Sequence, residues 1–158
     1  MVLAFGLDHI IISADRPKDP TAARFLENAA STRGKPSFTA EAGRSGPVDI
    51  ADAARLSAGV KNVMAHLKMG GAIAAPVRNP VWVEKIVSLA ADRDGMFHPL
   101  VDRDAHVAKG AKIGVVTDYV NRPLQEITAT DEGIVMFIRA VPSLKKGDTI
   151  VNIGVVKR

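Results

Sequence analysis

Glu41 is a carboxylate whose place in the chain is open to a proton-relay reading. It stands near the end of Lys35–Ala42 (KPSFTAEA), a run that reads as a strand, just before the Gly/Ser/Pro turn Gly43–Pro47. A carboxylate at a strand end beside a glycine-rich turn has room for a substrate in front of it, and a positioned carboxylate can relay a proton. By pattern alone the same residue also reads as a solvated strand-end carboxylate, and that plainer reading is preferred on pattern. Arg44 follows in the turn. Its guanidinium can pair with a substrate carboxylate or stand exposed in its loop, the second reading being slightly favoured.

Other chemistries find less support. A catalytic zinc needs three protein ligands and an open position. The residues three places after His9, His66, His98 and His106 are Ile12, Met69, Val101 and Lys109, so no His-x-x-Glu pair exists. His98 and His106 read as facing each other across a hairpin, an arrangement that without a third ligand is usually two surface imidazoles. Asp92, Asp94, Asp102 and Asp104 lack the order and closing Glu of a calcium loop. With no cysteine there is no thiolate zinc site, disulfide or cysteine nucleophile. No Gly-x-Gly-x-x-Gly, Walker-type loop or Gly-x-Ser-x-Gly elbow occurs. One Trp, one Tyr and five Phe make no stacking platform for single-stranded nucleic acid.

The elements that would position Glu41 read as alternating helix and strand. Gly6 reads as the C-cap of a helical turn Met1–Phe5. Asp8–Ser13 (DHIIIS), with three consecutive Ile, reads as a short buried strand. Asp19-Pro20 opens a helix that runs to Gly34, with Ala23, Leu26 and Ala30 as its apolar face and Phe25 as a further candidate. Asp49 caps a longer helix whose apolar residues are Ile50, Ala53, Ala54, Val60, Val63, Met64 and Leu67. These make residues 1–70 an α/β segment.

Residues 71–80 lie in the Gly- and Pro-rich linker MGGAIAAPVRNP (Met69–Pro80), and from Val81 to 158 the helical period gives way to short apolar runs separated by turn signals. This half repeats itself. Asp94-Gly95-Met96-Phe97 leads to Lys109-Gly110 and Ile113-Gly114, and Glu132-Gly133-Ile134-Val135 leads to Lys146-Gly147 and Ile153-Gly154. Duplicated strand pairs bury their faces by interleaving, which predicts a small two-layered β barrel. The fold class is α/β followed by all-β.

At 158 residues and 47% hydrophobic composition the chain can bury a real core. The net charge of +4 is spread evenly, with nine basic and seven acidic residues to Val77 and twelve and ten after it. Nucleic-acid binders concentrate such charge, so no nucleic-acid partner is expected. The longest uncharged apolar stretch, Met69–Val77, falls far short of the roughly 20 residues that span a bilayer. No signal peptide is visible, and a soluble, cytoplasmic protein without a membrane partner is expected.

Two resemblances sharpen this reading. DGMFHPLVDRDAHVAKGAKIG (Asp94–Gly114) and EGIVMFIRAVPSLKKGDTIVNIG (Glu132–Gly154) resemble the biotinyl/lipoyl-type barrel-sandwich hybrid. Carriers of that type attach their prosthetic group to a Lys at the hairpin tip between the halves. Here that connection, Val116–Ala129, has no Lys, so the resemblance implies a structural or oligomerising module rather than a carrier. KPSFTAEAG (Lys35–Gly43), with Gly59–Met64 (GVKNVM) and Leu67–Met69 (LKM), resembles the succinylglutamate desuccinylase/aspartoacylase family. Its members join a zinc-carboxypeptidase-like α/β domain to a small β domain.

The second resemblance implies a zinc-dependent amidohydrolase acting on N-acylated amino acids, with Glu41 as general base. Arg44 stands where relatives tend to carry another Gly. The family's zinc ligands, a His-x-x-Glu pair and a later His, lie upstream of the matched region, so no metal ligand and no bound zinc are expected on this chain. The chain reads as the C-terminal portion of a longer enzyme, inactive alone, with Met1 an internal residue of the parent. Its expected partners are an N-acyl amino acid, in the full-length enzyme, and the missing N-terminal portion or a second copy. A non-catalytic assembly module is the alternative.

Overall fold

The computed structural model describes residues 1–13, 17–43, 48–71 and 74–157. It divides into two compact units, one built from Met1–Gly43 and Asp49–Pro80 and the other on Val81–Arg158.

In the first unit α1 (Val2–Phe5) stops at Gly6, whose φ of 103° is left-handed and free of Cβ penalty only for glycine. β1 (His9–Ile11) is the centre of the Ile run, with Ile10 buried. Asp19 caps as its sequence context predicts, its Oδ1 accepting from Thr21 N at 2.9 Å. The helix it opens is a single 3-10 turn, Pro20–Ala22, and α2 (Leu26–Ser31) starts separately. Ala23 and Phe25 are extended between the two, which breaks the expected apolar stripe and leaves Phe25 and Leu26 exposed.

The long helix α3 (Ile50–His66) starts at Asp49, whose Oδ1 accepts from Ala51 N at 2.8 Å. Its buried residues are Asp52, Gly59 and Ala65, with Leu56 and Val63 half-buried. Most of the expected apolar stripe faces outward instead, including Ile50, Val60, Met64 and Leu67. Phe5 decides this orientation. Its ring lies so close to Gly59 that a Cβ there would overlap it, and Asn62 Nδ2 donates to Phe5 O at 3.3 Å. α1 therefore docks on the glycine side of α3. The expected strand Lys35–Ala42 has no ladder among the described residues. A strand exists by pairing, and no described segment pairs with this one.

The second unit contains, among the described residues, eight strands: β2 (Val81–Ala90), β3 (Gly95–Pro99), β4 (His106–Val107), β5 (Lys112–Thr117), β6 (Pro123–Thr128), β7 (Gly133–Ile138), β8 (Ser143–Leu144) and β9 (Thr149–Val156). One sheet runs β2-β9-β7-β4 and the other β6-β5-β3-β8, all neighbours antiparallel. No ladder among the described residues joins the two sheets, so they are not closed into the single barrel the repeat predicts. The two-residue strands β4 and β8 end their sheets too soon to bridge them.

The internal repeat is present and longer than its motifs suggest. β2 corresponds to β6, β3 to β7, β4 to β8 and β5 to β9. Gly95 pairs with Leu144 and Gly133 with Val107. Phe97 pairs with Val116, and Val135 with Ile153. Ala91 N donates to Asp148 O and its carbonyl accepts from Gly147 N; Ala129 N donates to Ala111 O and its carbonyl accepts from Gly110 N. Each short strand pairs with the other repeat, so the halves interleave. Between the sheets lie Phe97, Ile113, Val116, Val135, Ile150 and Ile153, all at most 2% exposed, each stabilising by about 1.5–3 kcal/mol.

The β5–β6 hairpin is held by one carboxylate. Asp118 Oδ1 accepts from Val120 N at 3.0 Å and Arg122 N at 2.9 Å, and Oδ2 accepts from Arg122 Nε at 2.6 Å. The hydrogen bond from the Arg122 backbone, joined by those from its guanidinium and from Val120 N, holds the Asp118 carboxyl below the usual carboxylate range. A lowered folded pKa means that the stabilisation is complete above the unfolded value and is lost as pH falls through the folded one. Acidification is therefore expected to loosen this turn before the sheets. The ring resonances of Tyr119, the chain's single tyrosine, report it by NMR, and Asp118→Ala should show the loosened spectrum already at neutral pH.

Candidate functional site

The segment Thr39–Gly43 is held from upstream and borders α3 downstream. Upstream, Ser37 Oγ donates to Glu27 O at 2.7 Å. The Phe38 ring meets Phe5 edge to face with centroids 5.5 Å apart. Phe5 is buried and lies on Gly59 of α3. Downstream, Gly43 takes a φ of 99°, and its Cα faces the Asp52 carboxylate, whose Oδ2 lies 3.5 Å from where a Cβ would stand. Asp52 is buried at the start of α3 and pairs with Arg55 Nη1 at 3.2 Å. Upstream the segment is thus held by α2 and by Phe5 of α1, and downstream it runs beside Asp52 of α3, set by packing rather than by a ladder.

Glu41 sits in this segment with its side chain exposed. Among the described residues it makes no ion pair or side-chain hydrogen bond, so its carboxylate is open to solvent. Arg44 lies outside the described residues. Asp52 did not stand out from sequence, although the spacing Asp49-x-x-Asp52 is a variant of the capping-box pattern and marks its position at the third residue of the helix.

The histidines are dispersed. His9 Nδ1 is 2.9 Å from Asp8 Oδ1, and this hydrogen bond lowers the Asp8 pKa. His98 Nε2 is 3.0 Å from Thr117 Oγ1, which also lies 3.0 Å from Asp118 O. His98 pairs with Val115 in one sheet and His106 with Ile134 in the other, so the two do not face each other across a hairpin. Among the described residues no three His, Asp or Glu side chains gather where they could hold a metal ion. These residues do not fit a catalytic zinc, which takes three protein ligands.

A unit of short helices, one three-residue strand and the long helix α3, followed by a pair of interleaved antiparallel sheets, is the fold these residues define. The same fold occurs in the ectoine utilization protein EutE (DoeB) from Ruegeria pomeroyi. That protein matches with a TM-score of 0.83 and 24% identity over 97% of this chain and 48% of its own. A succinylglutamate desuccinylase from Silicibacter sp. TM1040 matches with a TM-score of 0.79 and 22% identity over 98% and 47%. A succinylglutamate desuccinylase/aspartoacylase from Rhodobacter sphaeroides matches at 0.77 and 22% over 98% and 48%. The chain therefore spans about half the length of the structures it matches. No family model and no curated protein sequence matches it. No helix among the described residues is long and apolar enough to cross a membrane.

Proposed function

We propose that this chain is the base-bearing half of a zinc-dependent deacylase of N-acylated amino acids, of the N-acetyl-aspartate or N-succinyl-glutamate kind. The observation that carries the reading is the fold shared over nearly the whole chain with a succinylglutamate desuccinylase and a desuccinylase/aspartoacylase. Glu41 takes the proton of the attacking water and delivers it to the leaving amide nitrogen. The exposure of its carboxylate, beside a segment held upstream by Ser37 and Phe38, supports this role by leaving it open to a substrate. Arg44 pairs with a substrate carboxylate. Zinc is held by residues outside this chain, where it supplies Lewis-acid chemistry. The β unit is a barrel-sandwich-type module without an attachment Lys and serves structure and assembly. The setting is the cytoplasm.

The isolated chain is expected neither to retain zinc nor to hydrolyse N-acetyl-aspartate or N-succinyl-glutamate. Fusing it behind the half of the Ruegeria pomeroyi EutE (DoeB) chain that it does not match is the test. Deacylation by the fusion that is lost in Glu41→Gln, with zinc content unchanged, supports the reading. One zinc per isolated chain with turnover, or a Glu41→Gln fusion as active as the unsubstituted one, overturns it.

A further inference from the structure

The two repeats of the β unit are tied to each other more than each is tied to itself. Among the described residues the ladders β2–β9, β5–β6, β3–β8 and β4–β7 join one repeat to the other, while only β3–β5 and β7–β9 lie within a repeat. The chain passes from β5 in the first repeat to β6 in the second through Asp118–Arg122 alone. Those residues are poor material for a turn. Tyr119 and Val120 are strand formers, and they stand 79% and 70% exposed at its tip. Arg122 precedes Pro123, which pushes it toward extended backbone. Asn121 makes the reversal with a left-handed φ of 66°, a conformation that glycine alone adopts without cost. What keeps the turn closed is the Asp118 carboxylate, through its bonds from Val120 N, Arg122 N and Arg122 Nε.

We infer that this turn is a hinge, latched by Asp118, through which the two repeats exchange between two copies of this chain. Opened into one long strand, β5 and β6 of one copy lie beside β6 and β5 of the other. The first repeat of each copy then makes its four ladders with the second repeat of the other copy. Every ladder and the core between the sheets are kept, and only the reversal at Asp118–Arg122 is given up, which is the condition for low-cost exchange.

The register supports the exchange because it runs on through the hinge. Thr117 faces Pro123, and Asp118 N already donates to Arg122 O at 2.9 Å. Carried across the two-fold axis, the same register sets Asp118 opposite the second copy's Arg122, Tyr119 opposite its Asn121 and Val120 opposite its Val120. Opposite charges thus meet at each end of the crossing, and no like charges do. The exchange involves the β unit alone and needs neither metal nor substrate, so its test stands apart from that of the deacylase reading.

The chain refolded from denaturant at high concentration should contain a dimer by sedimentation, returning to monomer only as slowly as the β unit unfolds. Asp118→Ala removes two carboxylate–backbone bonds from each closed turn but only exposed ion pairs from the dimer. It should therefore raise the dimerisation constant about tenfold per chain, or about a hundredfold per dimer. Asn121→Gly, which relaxes the closed turn, should lower it. The chain has no cysteine of its own, and Met96 of β3 faces Ser143 of β8, so exchange can be told from surface association. Met96→Cys/Asp118→Ala and Ser143→Cys/Asp118→Ala chains refolded together and oxidised should form a mixed covalent dimer. The same two chains folded apart as monomers and then mixed should form none. Without Asp118→Ala the pair should cross-link in the same way at lower yield. Asp118→Ala protein that folds and stays monomeric at every concentration would overturn the exchange. So would a dimer that falls apart on dilution without unfolding, or no mixed cross-link from co-refolded chains in either background.

Discussion

A Gly133→Ala variant is expected to lose about 3 kcal/mol of stability, enough to lower the midpoint of thermal unfolding of the β unit by roughly 10 °C or more. A Cβ at Gly133 would overlap the carbonyl oxygen of Gly154 and crowd Ile153, in the strand beside it. A backbone oxygen inside a ladder cannot rotate away as a side-chain terminus can, so β7 or β9 must shift. The repeat makes the same demand at Gly95, whose Cβ would overlap the Thr117 carbonyl and crowd Val116. Gly110 and Gly147 provide the control. Both have positive φ, 84° and 90°, but open space around the missing Cβ, so alanine there should cost only about 1–2 kcal/mol of backbone strain. Thermal unfolding of the four variants should place Gly95 and Gly133 together as the severe pair. If Gly133→Ala proves no worse than Gly147→Ala, the close approach of β7 and β9 described above is wrong.

In the fusion to the unmatched half of EutE (DoeB), Glu41→Gln is expected to cut kcat by about 10²–10⁴-fold, the usual worth of a positioned proton relay, with little change in KM. Glutamine keeps the size of the side chain and removes its ability to take a proton, so folding and substrate binding should survive. Arg44→Ala should do the reverse, raising KM more than it lowers kcat, because a charge-assisted pair to a substrate carboxylate acts equally in ground and transition states. Steady-state kinetics on both variants separates the roles. A Glu41→Gln fusion that changes KM alone would make Glu41 a binding residue and remove the proton relay from the mechanism.

The elements legible in sequence are those whose cause is local. Gly6 and Asp49 could be named as caps because a cap is made by one side chain or one permissive backbone within a turn of its helix. The repeat was visible because its glycines recur, yet its first strand was missed. Leu89-Ala90-Ala91 and Ile127-Thr128-Ala129 occupy equivalent places before the two acidic-Gly turns, and only the paired hydrogen bonds of Ala91 and Ala129 bring this out.

What stayed hidden depends on distant partners. Periodicity identified the apolar stripe of α3 but could not tell which side the fold covers. The ring of Phe5, more than fifty residues away, settles that by choosing Gly59. Lys35–Ala42 has the composition of a strand, but pairing is not a property of one segment. For the candidate site, sequence supplied Glu41 through its resemblance, while Phe38 and Asp52, whose contacts flank it on either side, emerge only in three dimensions.

The exchange of short strands between the two repeats bears on how the chain is made. Met96 is synthesised well before Ser143, and His106 well before Ile134, yet each pair shares a ladder. A ribosome delivers the first repeat with the edge of β3 open and β4 without a mate, so neither can be satisfied until β7 and β8 have emerged. Assembly of the β unit thus waits for synthesis of the second repeat, and it falls in the slow class of folds set by long sequence separation. Throughout that interval the nascent first repeat is a natural client for holding chaperones.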